Sequence, residues 1–297
     1  MTRKGIILAG GAGRRLYPAT ATSSKQLLPV YNKPMIYYPL SMLMLTGIRE
    51  VLIISTPDDL PNFKRLFGDG SGLGMAFEYA VQQEPRGLAD AFIIGEAFLD
   101  GSPSCLVLGD NILYGNTIGS VMKKASSQRE GATIFGYPVK DPSRFGVVEF
   151  DKDWNVLSVE EKPTSPKSAH AIPGVYFYDA QASTLAKQIR PSRRGELEIT
   201  SLNHLYLQQK QLTVEVFGRG VAWFDTGTHH SLLQAANFVE TIEERQGMMI
   251  GCIEEIAYSN QWICSEMLNK AATQMGGGSY SDYLKRLAAN EGRGDRF

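Results

Sequence analysis

The feature that most restricts this chain lies at its start. GIILA, a run of small and branched apolar residues, leads directly into Gly10, Gly11 and Gly13, then Arg14 and Arg15, with Lys25 ten residues further on. A short apolar run bounded by turn residues reads as a buried strand. Glycines after it let the backbone turn with its N–H groups uncovered, a shape that surrounds a phosphate without side-chain obstruction. Two familiar phosphate loops do not fit. A dinucleotide fingerprint counted from Gly11 needs a third glycine where Leu16 stands, and no glycine is followed by Lys and then Ser or Thr as in a P-loop. What is left is a cationic glycine loop suited to a triphosphate, whose departing pyrophosphate needs fixed positive charge. The plain alternative is a solvated loop with incidental basic residues.

Strand-like and helix-like runs alternate after this loop: YYPLSMLMLTG, EVLIIS, PDDLPNFKRLF, AFEYAV, GLADAFIIGEAFL and SCLVLGD, the rhythm of a parallel sheet with crossover helices. Gly47 is placed to close the first helical run and Pro57 to open the second. From Ala132 the spacing tightens into ATIFGYPV, FGVVEF, VLSVEEKP and PGVYFYD, which predicts an antiparallel layer attached to the parallel core. LTVEVF and VAWFD are expected to return to the sheet. The remainder from Thr228 reads as helical, with a 3.6-residue apolar stripe in THHSLLQAANFVETIEERQ and a linker, MGGGSYS, before a last short helix. The expected fold is α/β, a Rossmann-like mixed, mainly parallel sheet flanked by helices, with an antiparallel layer and a helical C-terminal region. Its expected division is a core over residues 1–240 and a C-terminal helical region over 241–297, which together can form a single domain.

The 297 residues are 43% hydrophobic and 21% charged with a formal net charge of -1, a balance that suits a globular chain and lacks the basic footprint of nucleic-acid binding. The apolar stretch before the glycines is too short for a signal peptide, and nowhere do about 18 apolar residues run together. We therefore expect a cytoplasmic protein with no membrane and no nucleic-acid partner. Cys105, Cys252 and Cys264 are too few and too widely spaced for a disulfide framework or a zinc cluster, and read as buried thiols. His170, His204, His229 and His230 show no metal-ligand spacing. YYPLSMLML reads as core or subunit interface.

Two apolar runs end in an acid: SCLVLGD puts Asp110, and VAWFD puts Asp225, at the end of a predicted strand. Ligands of open α/β sheets bind beyond the carboxyl ends of strands, so these acids are expected to meet above one edge. A hard cation such as Mg²⁺ takes one or two carboxylates and completes its shell with water and substrate phosphate. The bland reading of each aspartate is a turn former or helix cap.

LAGGAGRRLYPAT, followed in order by SKQLLPVYNKPMIYYPL, LGDN, FGVVEF, EEKP, RGELEIT and WFDTGTH, resembles the sugar-nucleotide nucleotidyltransferase family, in its members that act on dTTP and glucose 1-phosphate. The resemblance implies transfer of dTMP from dTTP to α-D-glucose 1-phosphate with Mg²⁺, giving dTDP-glucose and pyrophosphate by a single in-line displacement. On the matching positions it implies that Arg15 and Lys25 stabilise the transition state and that Asp110 and Asp225 hold the metal. Leu8, Gly10, Gly11, Gly13, Gln26, Gln82, Pro85 and Gly87 would bind the nucleotide. The antiparallel layer would bind the sugar phosphate through Phe145, Gly146, Glu161, Lys162 and Ile172, with Arg194 and Glu196 ranked lower. It further implies a homotetramer with a second nucleotide site inhibited by an end product such as dTDP-rhamnose, in segments around Gly115, Arg219 and Glu255.

The chain departs from the family pattern at several places. Arg14 stands where Thr is usual, Arg86 where Asp is usual beside Gly87, Phe145 where Tyr is usual, and Ile253 where Pro is usual; Ser201 and His230 replace common acids. Arg86 and Phe145 leave base and sugar selectivity open, with UTP or another sugar 1-phosphate as the alternative inside the same chemistry. A nucleotide-sugar-binding regulator without catalysis is disfavoured by retention of Arg15, Lys25, Asp110 and Asp225. Leu16 disfavours a nicotinamide-dependent oxidoreductase.

Overall fold

Strand β1 (Lys4–Leu8) is buried from Gly5 onward, as a central parallel strand must be. The structure is a computed structural model that describes residues 2–11 and 13–289. After the glycine loop come a small hairpin, β2 (Pro29–Val30) with β3 (Lys33–Pro34), and helix α1 (Tyr37–Leu45). Apolar on nearly every side, α1 is buried rather than amphipathic. β4 (Glu50–Ser55), α2 (Leu60–Phe67) and β5 (Ala76–Val81) follow. The second helix starts at Leu60 rather than at Pro57, with Pro61 in its first turn, where a missing N–H costs nothing. GLADAFIIGEAFL forms two short helices, α3 (Asp90–Ile94) and α4 (Glu96–Leu99), parted at Gly95, whose backbone packs close to Leu52 and Ile6 of the sheet. β6 (Ser104–Leu108) completes the parallel set β5-β4-β1-β6.

β7 (Asn111–Tyr114), α5 (Ile118–Ser127), β8 (Ala132–Pro138), β9 (Gly146–Phe150), β10 (Val156–Glu161), β11 (His170–Ala171) and β12 (Val175–Tyr178) come next. β12 lies antiparallel between β6 and β8, so the antiparallel strands continue the parallel sheet, and β9 and β10 form its far edge. After α6 (Ala182–Ala186) and α7 (Ile199–Gln208), β13 (Leu212–Val216) returns parallel to β8 as expected. β14 (Ala222–Asp225) does not return: it pairs antiparallel with β7 in a separate two-stranded ladder. All four of its residues are only half-buried, and its two rings go separate ways. Trp223 packs on Tyr137 and Phe145, and Phe224 on Phe238 of α8 (His229–Gln246), so the strand bridges two layers instead of entering one.

A capping box between Thr228 and Ser231 starts α8. α9 (Ile253–Ser259), α10 (Ser265–Gln274) and α11 (Ser279–Ala289) fold back, and Ile253, Ala257, Leu268 and Leu284 share one buried cluster with Leu40, Leu43 and Ile7. The expected linker holds Gly276, Gly277 and Gly278, all at positive φ. Residues 290–297, the end of the region 241–297, lie outside the described residues. Cys105 and Cys252 are buried, but Cys264 is exposed because it occupies the entry to α10. Among the described residues, no helix is long and apolar enough to cross a membrane.

One buried ion pair ties α8 to the hairpin. Lys33 Nζ lies 2.7 Å from Glu243 Oε1, with the two side chains 2% and 6% exposed. Glu243 also accepts from Asn32 Nδ2 at 2.7 Å and from the Ile250 N–H at 2.8 Å. Burial pulls the Lys33 ammonium below its ordinary range, and Glu243 opposes that pull. Removing one partner strands the other charge away from water, so Lys33→Met should cost about 3–5 kcal/mol. Lys33→Met with Glu243→Gln, which keeps an acceptor for Asn32 and Ile250, should recover more than half of that loss. Urea unfolding midpoints at constant slope measure both.

Candidate active site

The loop after β1 opens at the carboxyl edge of the parallel strands. Gly11 there has φ of 119°, a conformation that side chains with a Cβ rarely adopt. A 3-10 turn over Arg14–Leu16 follows, anchored by the buried Leu16, the residue that stands in place of a third glycine. Arg14 and Arg15 are both exposed. Arg15 reaches over to Gly227: a Cβ on Gly227 would lie 2.5 Å from Arg15 Nη2 and 3.1 Å from Asp225 Oδ1. Glycine at 227 is therefore what lets the guanidinium lie beside the carboxylate. Lys25 opens a second 3-10 turn, and its Nζ is ion-paired with Asp110 Oδ2, the two side chains being 15% and 14% exposed.

The aspartates do meet, though not through two strands of one sheet. Asp110 sits in the turn between β6 and β7, and the antiparallel register of β7 with β14 sets Asp225 opposite Asn111, the next residue. Thr226 fastens the junction, its N–H and Oγ1 donating to the Asp110 carbonyl at 3.2 and 2.8 Å. Asn111 fixes the carboxylate itself. Its Nδ2 donates to Asp110 Oδ1 at 3.1 Å, while its Oδ1 accepts from Trp223 Nε1 at 2.7 Å and from the Gly174 N–H at 3.0 Å. Sequence reasoning missed Asn111, Trp223 and Gly227 as positioning groups. Asn111 had a signal, since an amide directly after a strand-end acid is placed to bond it.

Two adjacent carboxylates share few cations, and they divide. Burial would raise Asp110, but the Lys25 ammonium and the Asn111 amide carry its carboxyl below the usual range. Burial and then the negative charge of Asp110 push Asp225 above it, against the pull of Lys25, Arg15 and Arg144. A hard divalent cation would relieve this conflict, and the donor set is compatible with one: two carboxylates, with the other positions left for water and phosphate. Among the described residues, no group of three or more His, Cys, Asp or Glu side chains could hold a metal.

A cavity of about 230 Å³ runs from Arg15, Asp110 and Asp225 to Gly146, Glu161, Lys162 and Ile172. Phe145 and Trp223 also line it, their ring centroids 5.0 Å apart. Glu161 accepts from Thr200 Oγ1 at 2.6 Å, and Lys162 follows β10 with φ of 43°, a strained backbone of the kind that collects at ligand sites. Arg194 does not line this cavity. It pairs with Glu196 at 2.7 Å and reaches Glu161 at 3.5 Å from the rim, so Arg194 links Glu196 to the site.

Of the residues expected to bind the nucleotide, Leu8 ends β1, Gln26 and Gln82 are buried, and Pro85 is exposed. Two backbone bonds fasten residues 86–89 to Leu197, from the Leu197 N–H to the Arg86 carbonyl at 2.6 Å and from the Ala89 N–H to the Leu197 carbonyl at 3.0 Å. Gly87, at φ of 111°, lies against that backbone, where a Cβ would come within 2.5 Å of Leu197 N. Of the expected second site, Gly115 packs on Gly220, next to Arg219, and Glu255 is buried on α9 with Tyr283 as a hydrogen-bond partner.

Known proteins share this arrangement of elements. The Nucleotidyl transferase family profile matches residues 4–242. The glucose-1-phosphate thymidylyltransferase of Neisseria meningitidis serogroup A is 56% identical over 284 residues, covering 96% of this chain and 99% of that one. That of Mycobacterium tuberculosis is 52% identical, covering 96% and 98%. A Bacillus anthracis protein assigned to the same activity and crystallised with sucrose superimposes with a TM-score of 0.74 at 38% identity, over 80% of this chain and 95% of that one. A UDP-glucose pyrophosphorylase, at 22% identity and a TM-score of 0.72, shares the fold.

The raised carboxyl of Asp225 makes a stability prediction. A group whose folded value lies above its unfolded one binds more protons when folded, so its contribution is complete at low pH and is lost as pH rises through the folded value. At neutral pH the charged Asp225 therefore costs stability. Asp225→Asn should melt higher than the wild type at pH 7, at roughly 2–4 °C for each kcal/mol in a chain of this size. The gap should close as pH falls toward about 4, the ordinary aspartate value; thermal melts across that range check it.

Proposed function

The chain belongs to the nucleotidyl transferase family, and within it we propose that it transfers dTMP from dTTP to α-D-glucose 1-phosphate, giving dTDP-glucose and pyrophosphate. The observation that supports this most is the convergence of Arg15, Lys25, Asp110 and Asp225, from three separate stretches of chain, at one end of a cavity whose other end carries Glu161 and Lys162. A nucleotide above the glycine loop and a sugar phosphate in the cavity would then meet at those four groups. We assign this chemistry to residues 1–240 and treat the chain from 241 as a C-terminal region, helical over its described residues, with α8 running across the boundary between the two.

The reaction is a single in-line displacement in which a sugar-phosphate oxygen attacks the α-phosphorus and pyrophosphate leaves, so the residues position and neutralise. Backbone N–H groups at Gly10, Gly11 and Gly13 would face the triphosphate. Arg15 would take up charge on the leaving pyrophosphate. Lys25, now paired with Asp110, would turn to the phosphate as Asp110 and Asp225 together hold a divalent cation. The family works with such a cation, and we take it to be Mg²⁺, which when bound supplies a Lewis acid for the phosphate oxygens. Glu161 would accept from sugar hydroxyls with Thr200 fixing its orientation, Lys162 would meet the sugar phosphate, and Gly146, Ile172, Phe145 and Trp223 would shape the walls. Gln82, Gln26 and Gly87 would meet the base, beside Pro85 and Leu8. We further propose a cytoplasmic homotetramer inhibited by dTDP-rhamnose at a second site near Gly115, Arg219 and Glu255.

Pyrophosphate release with dTTP, UTP, CTP or ATP, each with glucose 1-phosphate and Mg²⁺, tests the activity: dTTP should be fastest, and no release with any of them rejects it. Lys25→Ala and Asp225→Asn should each lower turnover by at least ~10²-fold, the first by removing a cation from the reacting phosphate and the second by removing a ligand of the divalent cation that would neutralise it. Asp225→Asn should do so while melting higher at neutral pH. Near-normal turnover in either variant would remove that residue from the mechanism. For the second site, dTDP-rhamnose should inhibit without competing with dTTP at saturating sugar phosphate; absence of binding in calorimetry ends that part of the proposal.

A further inference from the structure

Gln82 stands one residue beyond β5, its backbone N–H donating to the Ser55 carbonyl at 2.8 Å and its side chain almost wholly buried. A glutamine amide can present either its oxygen or its NH₂ group to a ligand, and which one it presents is set by what holds the other. Here Nε2 donates to Asp90 Oδ2 at 3.0 Å and lies 3.5 Å from the Gly87 carbonyl. Asp90, the first residue of α3, is 1% exposed. Its carboxylate is braced from outside by Arg86, with Nη2 at 2.5 Å from Oδ1 and Nε at 3.4 Å from Oδ2. Arg86, which departs from the family pattern, therefore spends its charge on Asp90.

A carboxylate only accepts hydrogen bonds. Turning the Gln82 amide over would set its oxygen against Asp90 Oδ2 and bury two acceptors face to face, with the NH₂ group losing its partner. The oxygen must look the other way, and it does: a Cβ on Gly10 would come within 3.1 Å of Gln82 Oε1. The group offered at the border between the glycine loop and the 83–89 loop is thus a fixed acceptor.

We infer that Asp90, braced by Arg86, is a specificity-positioning residue that locks the Gln82 amide with its oxygen toward the nucleobase, favouring a pyrimidine with an N–H at the centre of its pairing edge over one with a lone pair there. Thymine and uracil carry that N–H, and cytosine carries the lone pair. The inference rests on the proposed function in that it takes Gln82 to meet the base, but it concerns recognition and is separable from turnover.

The experiment is equilibrium binding of dTTP and of dCTP, each with Mg²⁺, to the wild type, Asp90→Asn and Arg86→Met, beside the pyrophosphate assay. The wild type should bind dTTP more tightly than dCTP. In Asp90→Asn, whose own amide can turn to offer either partner, the ratio of the two dissociation constants should fall by about 10-fold, the loss of one forced hydrogen-bond choice. Arg86→Met keeps the carboxylate but loosens it, and should lower the ratio in the same direction by about 2- to 5-fold. A merely structural role would weaken both nucleotides alike and leave the ratio unmoved. Arg86 is 55% exposed, so its variant should fold even if Asp90→Asn does not melt cooperatively. An unchanged ratio in every cooperatively melting variant overturns the inference, as does a wild type that binds the two nucleotides equally. A wild type that selects dTTP through Asp90 yet releases no pyrophosphate would uphold the inference and reject the proposed activity.

Discussion

Two carboxylates set side by side and largely withdrawn from water repel each other, and the rest of this site is arranged around that conflict. Asp110 and Asp225 are kept together by a ladder of backbone bonds, by Thr226 on the Asp110 carbonyl and by Asn111 on its carboxylate. None of those interactions neutralises a charge. The cations that do, Lys25 and Arg15, come from the loop that follows the first strand, so the N-terminal glycine turn and the late β14 strand are bound by electrostatics as much as by packing. The arrangement keeps two like charges close together, a cost that a cation bound between them would offset. Stability is given up where ligand binding can recover it.

The surrounding fold makes that arrangement rigid. β14 stands between the main sheet and α8, with Trp223 and Phe224 packing to opposite sides, so Asp225 cannot withdraw without breaking two aromatic contacts. α8 in turn is held to the β2–β3 hairpin by Lys33 and Glu243, and that hairpin begins four residues after Lys25. A path of packed and hydrogen-bonded residues thus runs from Asp225 through α8 and the hairpin to the loop that carries Lys25. Such a path suits chemistry that depends on fixed charge more than on moving parts.

Much of this was legible in the sequence where one physical cause acts alone. Buried parallel strands need unbroken apolar runs, and KGIILA, EVLIIS and SCLVLGD each became one. The glycine loop, its cations and the strand-end acids were readable because few residues other than these can do what the backbone and the phosphate chemistry ask. Legibility failed where tertiary partners decide. VAWFD has the apolar run of a core strand, but only the positions of Tyr137 and Phe238 determine that it bridges two layers. Gly95 breaks a helix because of what it packs on, and Cys264 is exposed because of the helix it begins. Asn111 and Asp90 act through partners 112 and 8 positions away, Trp223 and Gln82, a coupling that no local pattern records.

The two backbone bonds between Leu197 and residues 86–89 have a mechanical meaning. Three residues beyond Leu197 stands Thr200, which holds Glu161, so the 86–89 peptide and the carboxylate at the far end of the cavity are joined by one short strip of chain, fastened at Leu197 by two backbone bonds and at Thr200 by a side-chain bond. The loop after β5 and the Glu161 carboxylate are therefore both referred to the segment 197–200, and neither can shift relative to it without straining the hydrogen bonds that fasten it.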